Sequence, residues 1–401
     1  MKILFLDQSG KLGGAELCLA DIVHPFKANS LVGVFSEGTF PDYLRQRNIP
    51  VKILTDQTLD VQKSSGLLAG LKSIRQLLPL IGNVIRLSRQ YDVSYTNTQK
   101  ALVVGAIASL FSRRPLVYHL HDIISPDHFS ATNRRIIVTL ANRATLIIAN
   151  SQSSREAFVQ AGGSPNNLRV VYNGFHLDRY AEHVKRAKAE EKEIFRNQIA
   201  STFIASKTGI ENNIRPFIVG HFSRLAPWKG QHVLIEALQH CSDDVVVLFV
   251  GDALFGEEDY VQQLHQQVKQ LKLERRVRFL SFRSDVPQLM MACDLVAHTS
   301  TAPEPFGRVI VEAMLCETPV MAAAAGGAAE IVEPGQTGWL TPPEDACQLA
   351  DTIMNIYHQP ALAQKVAEQG KAMAQRRFDV RATNAQIHQL LQAVLSAGKA
   401  H

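Results

Sequence analysis

Cysteine is scarce in this sequence and is not arranged for cross-linking. The five cysteines are odd in number and widely scattered, and no two of them form a C-x-x-C pair. Disulfide frameworks and zinc sites built on paired cysteines are therefore not expected. We predict that all five are reduced and structural.

Long apolar runs are also missing. The longest mostly apolar run is 101–111, about half of the roughly 20 residues that a membrane-spanning helix needs. The first apolar run, 3–6, ends at Asp7 and is too short for the apolar core of a signal peptide. We expect no membrane span and a cytoplasmic location.

The composition is that of an ordinary globular protein, with 46% hydrophobic and 20% charged residues. A chain of 401 residues is long for one core, and two domains are expected. The net charge of +5 is uneven, because residues 1–180 are basic and the rest is slightly acidic. A basic front half suits an anionic partner such as a membrane, a sugar phosphate or a polyanion, although a solvated surface without a partner gives the same pattern.

Short apolar, β-branched runs alternate with amphipathic stretches along the whole chain. The first series of predicted strands comprises 3–6, 31–35, 93–95, 116–119, 146–149 and 170–172. The second series comprises 217–221, 245–250, 277–280, 295–298, 320–322 and 338–340. This alternation predicts βαβ units and two doubly wound parallel sheets in tandem.

The domain boundaries follow from the two series. We predict a first domain over 1–180, a charged linker or helical region without a core face over 181–213, and a second domain over 214–378. Residues 379–401 are expected to form a terminal helix that packs back on the first domain, because apolar residues recur there at helical spacing: Ile387, Leu390, Leu391 and Val394.

The segment 67–89 is basic and amphipathic, and Pro79 and Gly82 are expected to break it. A helix that covers the first sheet accounts for this pattern. Peripheral attachment to a membrane surface is the alternative.

Three segments carry chemistry. In the first, Pro305 and Gly307 mark a turn before a predicted helix from Val309, so Glu304 is placed on the loop and Glu312 inside the helix. The start of such a helix attracts phosphate. Two carboxylates that flank it can hold neutral hydroxyls on either side of a diphosphate, although two glutamates at this spacing also occur by chance.

The second segment, 220–230, follows the strand at Phe217, where ligands bind in open α/β sheets. Arg224 offers a rigid fork for phosphate oxygens and Lys229 a mobile charge. The third segment, 10–16, contains Gly13 and Gly14 before a helix, so the backbone can approach a ligand closely. It lacks the G-x-G-x-x-G spacing of dinucleotide sites, and a plain tight turn is its alternative.

Together these segments resemble the retaining family 4 glycosyltransferases of GT-B fold, over nearly the whole chain. The landmarks appear in family order: 13–16, 121–122, 149–151, 172–174, 223–224, 229–230, 250–252, 304–312, 326–327 and Glu330. The resemblance implies an α/β protein of two Rossmann-like domains that face each other across a cleft. Departures are Ser223, Ser281 and 253–254, where many members have glycine, and they bear on the choice of donor.

The resemblance also implies residue roles. Glu304, His121, Arg224 and Lys229 would be catalytic: the two cations neutralise the leaving diphosphate, Glu304 holds hydroxyls of the donor hexose, and His121 lies beside the transferred sugar. Glu312 would accept the ribose diol, and residues near Arg283 would flank the base. The implied donor-binding residues are Gly13, Gly14, Ser223, Arg224, Lys229, Gly251, Arg283, Phe306, Gly307, Arg308 and Glu312. For His121 the alternatives are its neighbours His119 and His128, or three polar residues at a sheet edge without a role.

The expected reaction is a retaining hexosyl transfer from a nucleotide sugar, with UDP favoured over GDP, to a glycan, lipid-linked or sugar-phosphate acceptor. The chain has no D-x-D element, and the grouping His119–His128 matches no familiar metal spacing, so we predict catalysis without a metal or another cofactor. No nucleic acid partner is expected. A peripheral position on the inner face of the membrane would follow if 67–89 attaches there. The alternatives are a nucleotide-sugar epimerase of the same fold and a non-catalytic nucleotide-sugar-binding protein.

Overall fold

The computed structural model describes residues 1–55, 67–186, 189–204, 215–253 and 256–397. The chain divides into two compact units. The first comprises Met1–Gly174 together with the stretch that begins at Val380, and the second comprises Phe175–Asp379.

The first unit contains a parallel sheet of seven strands in the order β3-β2-β1-β4-β5-β6-β7. Its strands are β1 (Ile3–Asp7), β2 (Ser30–Val34), β3 (Val51–Ile53), β4 (Val93–Thr96), β5 (Leu116–Leu120), β6 (Leu146–Ala149) and β7 (Leu168–Val170). Ile3 pairs with Ser30 on one side of β1 and with Val93 on the other. The sequence predicted six of these strands, although it placed β7 two residues late, at 170–172. It missed the edge strand β3, whose three residues are too few to show a pattern.

Helices cover both faces of this sheet. They are α1 (Gly14–Val23), α2 (Thr39–Gln46), α3 (Leu67–Ser88), α4 (Gln99–Ser112), α5 (Ala131–Ala141) and α6 (Gln152–Gln160), with a 3-10 helix at His24–Asn29. The long apolar run lies in α4, where Leu102 and Val104 are buried. Among the described residues, no helix is both long and apolar enough to cross a bilayer.

Helix α3 corrects one expectation, because it continues through Pro79 instead of breaking there. Proline inside a helix costs about 3 kcal/mol. Leu80 and Val84 are fully buried in the same cluster as Ala101 of α4, and burial of each of these side chains contributes roughly 1.5–3 kcal/mol. Packing therefore offsets the cost of the proline. The side chains of 67–77 lie outside the described part of the chain.

The second unit contains a parallel sheet of six strands in the order β10-β9-β8-β11-β12-β13. The strands are β8 (Phe217–Phe222), β9 (Val245–Val250), β10 (Val277–Leu280), β11 (Leu295–His298), β12 (Val320–Ala323) and β13 (Trp339–Thr341). All six were predicted from the sequence, since each is a short apolar run bounded by polar or turn residues. The two parallel α/β sheets confirm the predicted fold class.

The helices of this unit are α7 (Leu177–Arg186), α8 (Ala189–Ile204), α9 (Gln231–Ala237), α10 (Glu258–Gln270), α11 (Val286–Ala292), α12 (Arg308–Leu315), α13 (Gly327–Ile331), α14 (Ala346–His358) and α15 (Pro360–Arg377), with 3-10 helices at Pro227–Lys229 and Leu238–His240. The predicted linker differs from the structure, because α8 has a core face: Ile199 and Phe203 are buried, and Arg196 donates to Asp294 Oδ2 at 2.7 Å. The high charge of 185–196 hid this face from the sequence pattern. Part of the predicted linker, 205–214, lies outside the described residues.

The last helix, α16 (Val380–Ala397), returns to the first unit. Ile387, Leu391 and Val394 are buried in one cluster with Ile3 and Phe5. Asn384 Nδ2 donates to the carbonyl oxygen of Asp21 at 3.0 Å.

Candidate active site

In the second unit, the strand order reverses between β8 and β11. These strands are neighbours in the sheet, although β9 and β10 separate them in the sequence. Open parallel sheets bind ligands at the carboxyl ends of strands at such a point. The loops that follow β8 and β11 therefore meet there, and they carry Lys229 and Glu304.

Gly230 brings the loop after β8 against β11. Its φ is +70°, and a Cβ atom at this position would lie 1.9 Å from the carbonyl oxygen of Thr299. Thr299 Oγ1 in turn donates to the carbonyl oxygen of Gly230 at 2.9 Å. Any side chain at 230 would push the loop away, so glycine here determines where Lys229 lies.

Lys229 and Glu304 form a largely buried ion pair. Lys229 Nζ lies 2.6 Å from Glu304 Oε2, and the side chains are 13% and 14% exposed. Nζ also lies 4.0 Å from the centroid of the Trp228 ring. An ammonium over an indole face gains further electrostatic stabilisation, so the lysine charge is held in place on two sides.

Two more polar groups reach the same carboxylate oxygen. Ser300 Oγ donates to Glu304 Oε2 at 3.1 Å, and His298 Nε2 lies 3.4 Å from it. Burial would raise the pKa of the Glu304 carboxyl, but Lys229 and His298 outweigh burial and lower it far below its ordinary value. Glu304 is therefore ionised. Among the described residues every hydrogen bond to this carboxylate goes to Oε2, so Oε1 is the oxygen available to a further donor.

The backbone of Glu304 is also fixed by hydrogen bonding. The amide of Gly327, at the start of α13, donates to the carbonyl oxygen of Glu304 at 2.7 Å. Glu304 also forms a β-bridge with Gly326. The loop after β11 is thus fixed against the loop after β12.

Helix α12 begins directly after this loop. Gly307 precedes its first residue, and Phe306 is buried with its ring centroid 6.3 Å from that of Phe175. Arg308 NH2 lies 3.4 Å from Glu312 Oε1 on the same helix. Glu304 on the loop and Glu312 in the helix lie where the sequence predicted them.

Arg224 precedes Trp228 in the chain, whereas Lys229 follows it. Its guanidinium carbon is 5.5 Å from the centroid of the Trp228 ring, and its NH1 is 3.8 Å from Glu257 Oε1. Both predicted cations, Arg224 and Lys229, therefore approach one indole ring. This arrangement gathers two positive charges in one short loop.

Ser223 and Gly251 build this loop. A Cβ atom on Gly251, whose φ is +140°, would lie 2.1 Å from the carbonyl oxygen of Ser223. The Ser223 hydroxyl donates to the carbonyl oxygen of Arg224 at 2.8 Å and accepts from Gln231 Nε2 at 3.0 Å. In this structure both groups shape the loop.

Arg283 lies apart from these residues, on the loop after β10. It forms a two-pronged ion pair with Asp285, with Nε 2.8 Å from Oδ1 and NH2 2.6 Å from Oδ2. Its neighbour Phe282 is 72% exposed. The structure brings an exposed ring and a cation to this loop, but it shows no contact between Arg283 and the Lys229–Glu304 pair.

In the first unit, His121 follows β5 and belongs to a polar network at the carboxyl ends of β1, β4 and β5. His121 Nε2 lies 2.8 Å from Asn97 Oδ1, and Asn97 Nδ2 donates to Asp7 Oδ2 at 2.7 Å. Because the amide oxygen can only accept, Nε2 carries the proton in this contact. Burial, together with the nearby charge of Glu16, raises the pKa of Asp7 to about 8.

The other predicted residues of the first unit lie close by in the chain. Gly13 precedes α1 and Gly14 is its first residue, while Glu16 is buried in its first turn. Burial raises the pKa of the Glu16 carboxyl. Two buried acids with raised pKa values, Asp7 and Glu16, thus lie beside the glycine loop. Acids with shifted pKa values are common at functional sites.

His119 lies inside the sheet rather than at its edge. It is fully buried, and burial followed by the charge of His121 lowers its pKa well below the ordinary value. Its Nδ1 lies 2.7 Å from the hydroxyl of Tyr95. The rings of His119 and His121 are 3.9 Å apart at their centroids.

Sequence reasoning missed several residues of these two clusters. Asp7 and Asn97 each end or follow a buried strand, and that position was an available signal. His298 and Ser300 likewise flank the end of β11. Trp228 lies within the segment 220–230, but no role was predicted for it.

Comparison with known proteins places these features in a family. Residues 205–373 match the glycosyl transferases group 1, and residues 40–179 match glycosyltransferase family 4. The crystal structure of Anabaena Alr3699/HepE in complex with UDP-glucose is 52% identical in sequence, with a TM-score of 0.87 over 98% of this chain and 100% of that one. The same protein in complex with UDP and glucose gives the same TM-score and identity over 98% and 99%.

One curated relative is more distant. D-inositol 3-phosphate glycosyltransferase of Corynebacterium aurimucosum is 28% identical over 301 residues, which span 70% of this chain and 68% of that protein.

Proposed function

We propose that this chain, which belongs to the family 4 glycosyltransferases of GT-B fold, transfers a hexose from a UDP-hexose donor with retention of configuration and without a metal. The observation that supports the donor is the 52% identity, over nearly the whole chain, to a protein whose structure contains UDP-glucose. The buried Lys229–Glu304 pair supports the assignment of the site.

The two cations act on the leaving group in this proposal. When the bond between the anomeric carbon and the phosphate oxygen breaks, the electron pair leaves with UDP and negative charge develops on the diphosphate. Lys229 and Arg224 neutralise this charge, and the backbone amides of 306–308 at the start of α12 assist. Both cations already lie near the Trp228 ring, so little reorganisation is needed when the charge appears.

Glu304 has two functions here. Oε2 holds Lys229, and Oε1 accepts a hydrogen bond from a hydroxyl of the donor hexose. Because Glu304 is ionised, it is a stronger acceptor than a neutral carboxyl. Glu312 accepts hydrogen bonds from the ribose diol, and its Oε1 also lies 3.4 Å from Arg308 NH2.

In the first unit, His121 lies beside the transferred sugar, and Gly13 and Gly14 allow the backbone to approach the donor phosphate. Asn97 orients the imidazole through its contact with Nε2. The acceptor hydroxyl attacks the anomeric carbon on the face from which UDP leaves, and a departing phosphate oxygen takes its proton. The acceptor is a glycan, a lipid-linked glycan or a sugar phosphate.

Donor choice is tested by thermal-shift titration with UDP, GDP, ADP and their hexose conjugates. We expect UDP and a UDP-hexose to raise the unfolding temperature and GDP to have little effect. A larger shift with GDP would overturn the donor assignment. Activity retained in EDTA supports transfer without a metal, whereas activity restored only by Mg²⁺ or Mn²⁺ would contradict it.

Two alternatives are separated from transfer by incubation of the donor, first without and then with an acceptor. An epimerase of the same fold would interconvert the UDP-hexose with its epimer, and a non-catalytic binding protein would bind it without any product. A transferase releases UDP in step with glycosylated acceptor.

A further inference from the structure

Three potential metal ligands of the first unit lie together beneath its polar network. They are Cys18 of α1, His119 of β5 and His121 just after β5, and one ligand atom of each lies within 4.8 Å of the others. Cys18 and His119 have no part in the proposed transfer. The sequence expectation against a metal considered C-x-x-C pairs and the grouping His119–His128 separately. It could not detect that Cys18, about a hundred residues earlier in the chain, lies beside two of these histidines.

The surroundings of the histidines match those of metal ligands. His119 Nδ1 is held by the Tyr95 hydroxyl at 2.7 Å, and its Nε2 is buried without a hydrogen-bond partner among the described residues. A buried polar atom without a partner costs about 1–3 kcal/mol and calls for an explanation. A metal ion bonded to Nε2 would remove that cost.

The hydrogen bonds of His121 and Cys18 are compatible with metal binding. Asn97 Oδ1 accepts from His121 Nε2, so the lone pair of the neutral ring lies on Nδ1. Cys18 Sγ donates to Asn173 Oδ1 at 3.2 Å. Loss of the thiol proton to solvent would allow the Asn173 amide to turn and donate to the thiolate instead. His121 is only partly buried, which gives an ion a route from solvent.

We propose that Cys18, His119 and His121 bind one Zn²⁺ ion. One thiolate and two imidazoles favour Zn²⁺ over hard ions such as Mg²⁺, and a fourth position remains for water. The ion binds whether or not the chain transfers a hexose, so binding and turnover are measured separately. A consequence that does rest on the proposed function is that Zn²⁺ inhibits transfer, because it occupies His121.

The first experiment is a Zn²⁺ titration of the full chain, after EDTA treatment and dialysis, in competition with a chromophoric chelator. We expect one tight site in the wild type and in Cys347→Ser, which alters an exposed cysteine. Cys18→Ser, which preserves the side-chain volume, should bind at least about ten-fold more weakly. Equal affinity of Cys18→Ser and the wild type, with both proteins folded by circular dichroism, would overturn the proposal.

X-ray absorption of the Zn²⁺-loaded wild type needs no variant and therefore remains decisive if Cys18→Ser does not fold. One sulfur and two imidazole nitrogens around zinc would support the site. A shell without sulfur, or one with two or more sulfurs, would refute it.

Discussion

Lys229 Nζ and Glu304 Oε2 lie 2.6 Å apart although 75 positions separate the residues in the chain. The pair is largely buried, and it joins the loops after two strands that are neighbours only in the folded sheet. In the proposed reaction it links the cation that stabilises the leaving group to the carboxylate that holds the sugar.

Lys229→Ala is expected to lower the transfer rate by about 10²-fold or more, because a preorganised charge at the leaving group is lost. It also leaves a buried carboxylate without its cation, which costs about 3–5 kcal/mol, so folding is checked by thermal unfolding. The matched control is Lys371→Ala, which breaks another Lys–Glu pair of the second unit, 2.7 Å from Glu317. A similar loss of rate in both variants would contradict the assignment.

Glu304→Gln keeps the size of the side chain and removes its charge. We expect kcat to fall by roughly 10²-fold while UDP binds with nearly wild-type affinity, since the proposed contact of Glu304 is with the sugar and not with the nucleotide. Initial rates and UDP titration measure the two effects. Loss of UDP affinity without loss of kcat would show that Glu304 acts on the nucleotide.

Glu312→Ala is expected to lower the affinity for UDP more than it lowers kcat, the reverse of the result expected for Glu304→Gln. Removal of a carboxylate from the ribose diol should weaken UDP binding by about ten-fold, as for a hydrogen bond to a charged group, with a much smaller change in kcat. The control is Glu368→Ala on the exposed face of α15. An unchanged Kd for UDP in Glu312→Ala would exclude the ribose role.

Gly230→Ala tests whether the loop position matters for Lys229. The added methyl would meet the Thr299 carbonyl oxygen at 1.9 Å, so the loop must shift. We expect a stability loss of about 1–3 kcal/mol and a loss of most transfer activity. Gly82→Ala is the control, because nothing lies within 4 Å of a Cβ there and helix α3 should gain about 1 kcal/mol. Full activity in Gly230→Ala would show that the position of this loop does not matter for transfer.

The raised pKa of Asp7 should make the free energy of unfolding depend on pH. Burial, and then the charge of Glu16, raises its pKa from 3.8 to about 8. Between these values the folded chain holds a proton that the unfolded chain has released, so stability falls as the pH rises, by at most about 1.4 kcal/mol per pH unit. The contribution is complete below pH 3.8 and lost above about pH 8.

The unfolding midpoint of Asp7→Asn should therefore change less between pH 6 and pH 8.5 than that of the wild type, because asparagine does not titrate over this range, which spans roughly the upper half of the titration. Asp127→Asn, at an exposed position, is the control and should keep the wild-type slope. Parallel slopes for wild type and Asp7→Asn would show that Asp7 is ionised in the folded protein.

Much of the fold follows from local sequence pattern. The strands of the second sheet are apolar, β-branched runs, and each matched its prediction to within about one residue, because a strand buried on both faces needs an unbroken apolar run. The exceptions also have physical causes. β3 is too short to show a pattern, packing of Leu80 and Val84 keeps α3 helical across Pro79, and the charged first half of α8 conceals the buried Ile199 and Phe203.

The candidate site divides in the same way. The sequence by itself determined which segments carry ligand-binding chemistry, since glycines, cations and carboxylates that directly follow predicted strands are recognisable from adjacent positions in the chain. Only the tertiary structure decided which of these meet: Lys229 with Glu304 and His298, Asp7 with Asn97 across 90 positions, and Cys18 with His119 and His121. The reason is that strand order in a doubly wound sheet differs from order in the chain. Burial shifts the pKa values of Asp7 and His119, and Lys229 lowers that of Glu304 against the effect of burial; both influences exist only after the sheets and helices have packed.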